Sequence, residues 1–255
     1  MTEPFIVFHP DYLTDYPTAG VECPARAEAV WRTLKSHYPV LEPQPADERD
    51  ILRVHTPFHM ENVKREGRTV FQTAFLSAGG ALLAAREAMT GRPGFAVVRP
   101  PGHHASPNHY WGFCFFNNMA VALASLLEDK RASSVFVLDF DLHYGDGTVN
   151  YFQADDRVYV FNPPSTSSRQ QYVDSVLGAL ESAGPRHVYA VSAGFDLGEN
   201  DWGGLLTEAD YTRIGELVKQ AALTHSEGRR FALLEGGYNL DDLGPNAAAF
   251  CRGFF

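Results

Sequence analysis

Cysteine is scarce: Cys23, Cys114 and Cys251 stand far apart in 255 positions, and no C-x-x-C occurs. That spacing excludes a disulfide framework and a thiolate zinc cluster, and it fits a reducing cytoplasm. Long apolar runs are missing as well. No stretch of about 18 apolar residues occurs, and the opening MTEPFIVFHPDY has no basic segment leading into one, so neither membrane spanning nor secretion is expected. Lysine and arginine number 21 against 31 acids, a net charge of -10. Direct binding to nucleic acid is therefore not expected, because phosphates require a positive surface, whereas a cationic amine would be welcome. Repeats, linkers and low-complexity segments are absent too, which leaves one domain over residues 1–255 as the expectation.

What is present is ordinary globular material, 45% hydrophobic and 20% charged. Short apolar, β-branched runs recur at 5–8, 95–98, 135–140, 157–161, 188–192 and 231–234. They read as buried parallel strands. Apolar residues at three- and four-residue spacing predict helices over 24–37, 70–90, 117–129, 169–182 and 207–226. Pro24 suits a first helical turn, and Thr207 with Asp210 three residues on marks another start. Strands alternating with helices imply an α/β sheet between helical layers. The polar segments RPPGHHA, HYGDG, GFD and EGGYN each follow a strand. Ligands in open α/β sheets bind outside the carboxyl ends of strands, so these four segments should converge.

Asp139, Asp141 and His143 alternate at one strand end, which points them to the same face. A carboxylate and an imidazole two residues apart suit zinc, which in catalytic sites takes three protein ligands and keeps a position for water. Asp196, at the tip of another strand, offers a third ligand. A lone D-x-H is more often a helix cap beside a packed histidine, and Asp196 alone is more often a cap. The acids of D-F-D-L-H-Y-G-D, however, repel one another unless something positive holds them. His103 and His104 follow the stiff turn Pro100, Pro101 and Gly102, with Asp139 and Asp146 as candidate partners. Such a pair suits general acid and base work near neutral pH, or equally a structural or metal-binding role. Tyr238 follows two glycines at a strand end, where its hydroxyl can reach a developing oxyanion, although a lone tyrosine is more often core with a wet tip.

In order, R-P-P-G-H-H-A, G-F-C-F-F-N-N, L-D-F-D-L-H-Y-G-D-G-T, S-A-G-F-D and L-E-G-G-Y-N resemble the histone deacetylase superfamily, which includes acetylpolyamine amidohydrolases and acetoin-utilisation proteins. H-P-D-Y at the start, E-C-P-x-R at 22–26 and V-H-T at 54–56 extend the resemblance over nearly the whole chain. It implies the arginase-deacetylase α/β fold, a mostly parallel sheet of about eight strands flanked by helices. By similarity, Asp141, His143 and Asp196 bind zinc, or iron in the same ligands. His104 resembles the general base and acid, His103 its electrostatic partner, and Asp146 and Asp139 the carboxylates behind them. Tyr238 then serves the oxyanion, the carbonyl of Gly112 accepts the substrate amide N–H, and Phe113 walls the acyl channel. The implied activity removes an acetyl or other acyl group from acyl-lysine, an acylpolyamine or a small metabolite.

Tyr144 stands where many relatives have a second histidine, and LGENDWGG after Asp196 lacks another. Neither position carries the metal. Between RVYVF and VYAVS the family's long glycine-rich loop is missing, so FNPPSTSSRQ is expected to leave the pocket open on one side unless a second subunit covers it. Relatives also bind a structural potassium near the Asp139 to His143 backbone. Part of that site would come from the strand ending in Phe161 and Asn162, so potassium stays an open expectation, as does a homo-oligomer. Two other readings compete. A metal- or ligand-binding homologue that lost catalysis with the loop is disfavoured by the presence of His103, His104 and Tyr238. A binuclear ureohydrolase of the arginase type needs more metal-binding acids and histidines than surround His143 and Asp196.

Overall fold

The computed structural model describes residues 3–166 and 168–255. Seven strands form one sheet: β1 (Phe5–Val7), β2 (Val40–Leu41), β3 (Gly94–Ala96), β4 (Val135–Asp139), β5 (Val158–Phe161), β6 (Val188–Ala193) and β7 (Arg230–Leu234). Their order is β2-β1-β3-β7-β6-β4-β5, and every neighbouring pair is parallel. All six apolar runs are strands, as expected of strands covered on both faces. The sheet has seven strands among the described residues where about eight were expected. The unforeseen β2 is a two-residue, partly exposed edge strand, too short to leave a pattern.

Nine helices flank the sheet among the described residues: α1 (Pro24–Leu34), α2 (Glu48–Leu52), α3 (Pro57–Arg65), α4 (Arg68–Ala88), α5 (Asn118–Glu128), α6 (Asp146–Phe152), α7 (Arg169–Ala183), α8 (Glu208–His225) and α9 (Leu240–Phe254). The five predicted helices appear as α1, α4, α5, α7 and α8. Pro24 opens α1, and Thr207 and Asp210 close a reciprocal capping box on α8. Periodicity missed α2, α3 and α6, which are five, nine and seven residues long. It also missed α9, whose interior Pro245 reads as a breaker. No helix among the described residues is long and apolar enough to cross a membrane.

β4 and β6 are buried along their whole length. Just past their ends, Phe140 and Phe195 are fully buried. Their rings pack 5.6 Å apart and meet Phe250 at 5.3 and 6.3 Å. With a phenylalanine locked into the core on one side of each chain turn, the neighbouring Asp141 and Asp196 are delivered to the sheet end with little freedom to move.

Candidate active site

β3, β7, β6 and β4 are consecutive in the sheet, and each feeds a polar segment at its carboxyl end. Asp141 and His143 follow β4, Asp196 follows β6, His103 and His104 follow β3, and Tyr238 follows β7. A cavity of about 180 Å³ lies over these ends, lined by His103, His104, His143 and Tyr238 together with Trp111, Gly112, Phe113 and Trp202. A larger cleft of about 440 Å³ beside His9, Gln44 and Phe75 holds no comparable set of acids and histidines.

One ligand atom from each of Asp141, His143 and Asp196 lies within 4.8 Å of the others. His143 Nδ1 is 2.9 Å from Asp196 Oδ2 and 3.3 Å from Asp141 Oδ1. Gly236 donates its N–H to Asp141 Oδ2 at 2.8 Å, and a Cβ on Gly194 or Gly236 would run into that same oxygen. Asp196 Oδ1 accepts the Leu142 N–H at 3.0 Å. The second oxygen of each acid thus turns towards His143. Burial and the Asp141 charge raise Asp196 to about 6. Hydrogen bonds that its ring donates to Asp141 and Asp196 raise His143 to about 10. Such mutual shifts mark two buried acids with one small partner between them. Two carboxylates and an imidazole meeting at one point are a donor set that fits a divalent cation with a coordination position left open.

The histidines are held apart in character. His103 Nδ1 lies 3.0 Å from Asp139 Oδ2, and His104 Nδ1 lies 2.7 Å from Asp146 Oδ1. Burial works against a charged His103, but Asp141 and Asp139 outweigh it and push its pKa well above the ordinary value. His104 is lowered to about 4, by burial first and then by the His103 charge. One ring therefore favours the imidazolium and its neighbour the neutral form. Burial keeps the Tyr238 hydroxyl protonated, although the Arg26 charge opposes this. That guanidinium lies 4.7 Å from the Tyr238 ring centre and donates to the carbonyls of Glu235 and Gly237 at 2.5 Å each.

Gly112 and Phe113 stand on the cavity wall, and the Gly112 carbonyl accepts the Cys114 thiol at 3.4 Å. The His143 side of the cavity is open, with 38% of that side chain exposed, and Tyr144 beside it faces solvent. Asn162, just past β5, accepts the Gly145 N–H at 2.8 Å, so the chain after β5 turns in behind the site. Ser167 in that segment lies outside the described residues.

Sequence reasoning missed Trp111, Trp202 and Glu235. Trp202 stacks on Tyr238 with ring centres 4.0 Å apart. Glu235 is buried; its Oε2 accepts the Gly102 and His103 N–H groups at 2.7 and 3.1 Å, while its Oε1 has no partner among the described residues. An acid between an apolar strand and two glycines was the available signal. Burial raises Glu235 to about 7 from 4.5. Between those values the folded protein holds a proton that the unfolded chain has released, so stability falls as pH rises through this window. Glu235→Gln should therefore gain on the wild type by about 2–3 kcal/mol between pH 4.5 and 8. Urea unfolding at the two pH values measures this, and parallel curves would contradict it.

Residues 20–165 match the family model described as the histone deacetylase domain. A protein of Methanothermobacter thermautotrophicus described as "Probable deacetylase" is 32% identical over 302 aligned positions, covering 97% of this chain and 89% of the relative. That alignment is longer than the 255 residues of this chain, so the relative carries segments lacking here. Among solved structures, the HD domain of HDA15 superposes with a TM-score of 0.89 at 24% identity, covering 100% of this chain and 90% of the other. The acetylpolyamine aminohydrolase from Burkholderia pseudomallei gives 0.85 at 24% identity, with 98% of each chain covered. At that identity the two structures speak for the fold alone.

Proposed function

Since the chain belongs to the histone deacetylase family, a family of deacetylase-type amidohydrolases, we propose that it removes short acyl groups from amines with a zinc ion held by Asp141, His143 and Asp196. The observation that carries this reading is the meeting of those three ligand atoms beside two histidines whose pKa values are driven apart. Such separation is how one site supplies both acid and base. When bound, the cation supplies Lewis acidity for the acyl carbonyl and brings the pKa of a water towards about 7.

The chain's own groups do the rest. His104, neutral at pH 7 and anchored through Nδ1 to Asp146, takes the proton of the attacking water at Nε2. The Asp146 carboxylate steadies the imidazolium that results. His103, charged and tied to Asp139, adds positive potential beside the carbonyl oxygen as that oxygen gains charge. Tyr238, protonated on the cavity wall, donates to the same oxygen. His104 then returns its proton to the departing amine, which cannot leave as an anion.

A cavity of about 180 Å³ is below the range of about 300–1,000 Å³ usual for drug-sized ligands. This favours a short acyl group. The open His143 flank favours a small acylated amine over a docked protein. The test is zinc-loaded protein assayed on acetyl-lysine peptides, acetylpolyamines and longer acyl analogues. We expect turnover of acetylated small amines to exceed that of long-chain analogues by about tenfold or more in kcat/KM. No turnover on any member would defeat the reading.

A further inference from the structure

Trp111 is 45% exposed, yet its one polar atom and one of its faces are both committed to the site. Its indole N–H donates to Asp146 Oδ2 at 3.0 Å, while Asp146 Oδ1 holds His104 Nδ1 at 2.7 Å. The indole also lies over the His104 ring, centre to centre 3.8 Å, tilted by 32°. We propose that Trp111 is a positioning residue for the general base: it fixes Asp146 and roofs His104, so that His104 Nε2 faces the cavity and water stays off the pair. This rests on the role given above to His104.

The turn carrying Trp111 is shaped around that histidine. Gly112 and Phe113 take φ values of 58° and 67°, a left-handed conformation that is strained in a phenylalanine and persists only where surroundings enforce it. A Cβ on Gly112 would come within 2.5 Å of His104 Cδ2, so only glycine lets the backbone run against the ring. The Cys114 N–H closes the turn on the Trp111 carbonyl at 3.0 Å. Asp146 needs such an anchor because it begins α6, a seven-residue helix, and its side chain is 34% exposed. Without the indole the carboxylate can rotate to solvent, and the His104 Nδ1–H loses the bond that sets its tautomer and orientation.

Two variants separate the parts. Trp111→Phe keeps the roof and loses the N–H; Trp111→Ala loses both. For the zinc-loaded protein, kcat should fall about tenfold and about hundredfold respectively, with KM within about threefold. A mere wall for substrate would instead raise KM and spare kcat. The second readout needs neither metal nor turnover. The low-field proton resonance that disappears in His104→Ala is expected in the chelated wild type and lost to water exchange in Trp111→Phe. A resonance that persists in Trp111→Phe, with kcat within about twofold of wild type, would overturn the proposal. If the wild type turns over no substrate, the functional reading fails and the resonance alone decides Trp111. If Trp111→Ala does not fold, the milder phenylalanine variant decides.

Discussion

Replacing His104 with alanine in the zinc-loaded protein is expected to lower kcat by about 10²–10⁴-fold while KM stays within about threefold. The size follows from losing both proton transfers at once, since the same nitrogen takes the proton from water and returns it to the amine. Position supports the exclusivity of the role. His104 is anchored at 2.7 Å to Asp146 and held neutral, whereas His103 lies between Asp139 and Asp141 and is held charged, so it cannot substitute. Because the cavity is open beside His143, imidazole added to the buffer should restore part of the lost rate in His104→Ala. Tyr238→Phe should cost about 10²–10³-fold in kcat, the usual loss for one oxyanion donor. Steady-state kinetics, with melting curves to confirm folding, measure all three. A His104→Ala variant within tenfold of wild type would remove His104 from the chemistry.

Removing the cation is expected to abolish turnover and to lower the melting temperature by about 5–10 °C relative to protein with metal at a hundredfold excess over its Kd. A ligand at that excess stabilises by about 2.7 kcal/mol, and a chain of this size gains about 2–4 °C per kcal/mol. Zinc and ferrous iron should both restore the shift, and magnesium should not, because it prefers six oxygens and gives up water reluctantly. Asp196→Asn keeps the shape of a buried ligand while removing its charge. In that variant metal should leave the melting temperature unchanged. A shift as large as that of wild type would show that the cation sits elsewhere.

Much of the fold was legible because buried parallel strands write themselves as unbroken apolar runs, and VFVLDF, VYAVS and FALL need no context to be read. What escaped was short or interrupted: β2 has two residues, and α9 hides behind Gly244 and Pro245. The convergence of Asp141, His143 and Asp196 followed from the rule that strand ends share a site. Glu235 and Trp111 escaped for a different reason. Their meaning lies in partners far along the chain: Glu235 holds two backbone N–H groups more than 130 positions away, and Trp111 holds an acid 35 positions on. Local pattern carries no trace of such bonds. The shortened segment between RVYVF and VYAVS, by contrast, was noticed by subtraction from the family pattern.

The position of β7 bears on when this protein can first work during its synthesis. It is the last of the seven strands in chain order, and in the order β2-β1-β3-β7-β6-β4-β5 it joins the half bearing the histidine pair to the half bearing Asp141, His143 and Asp196. Until Arg230–Leu234 has threaded between β3 and β6, the two halves share no hydrogen-bonded edge, and Tyr238 has not yet been made. A chain made only as far as β6 can thus pair the strands of either half and still be inert, and the site closes only once β7 and Tyr238 are in place.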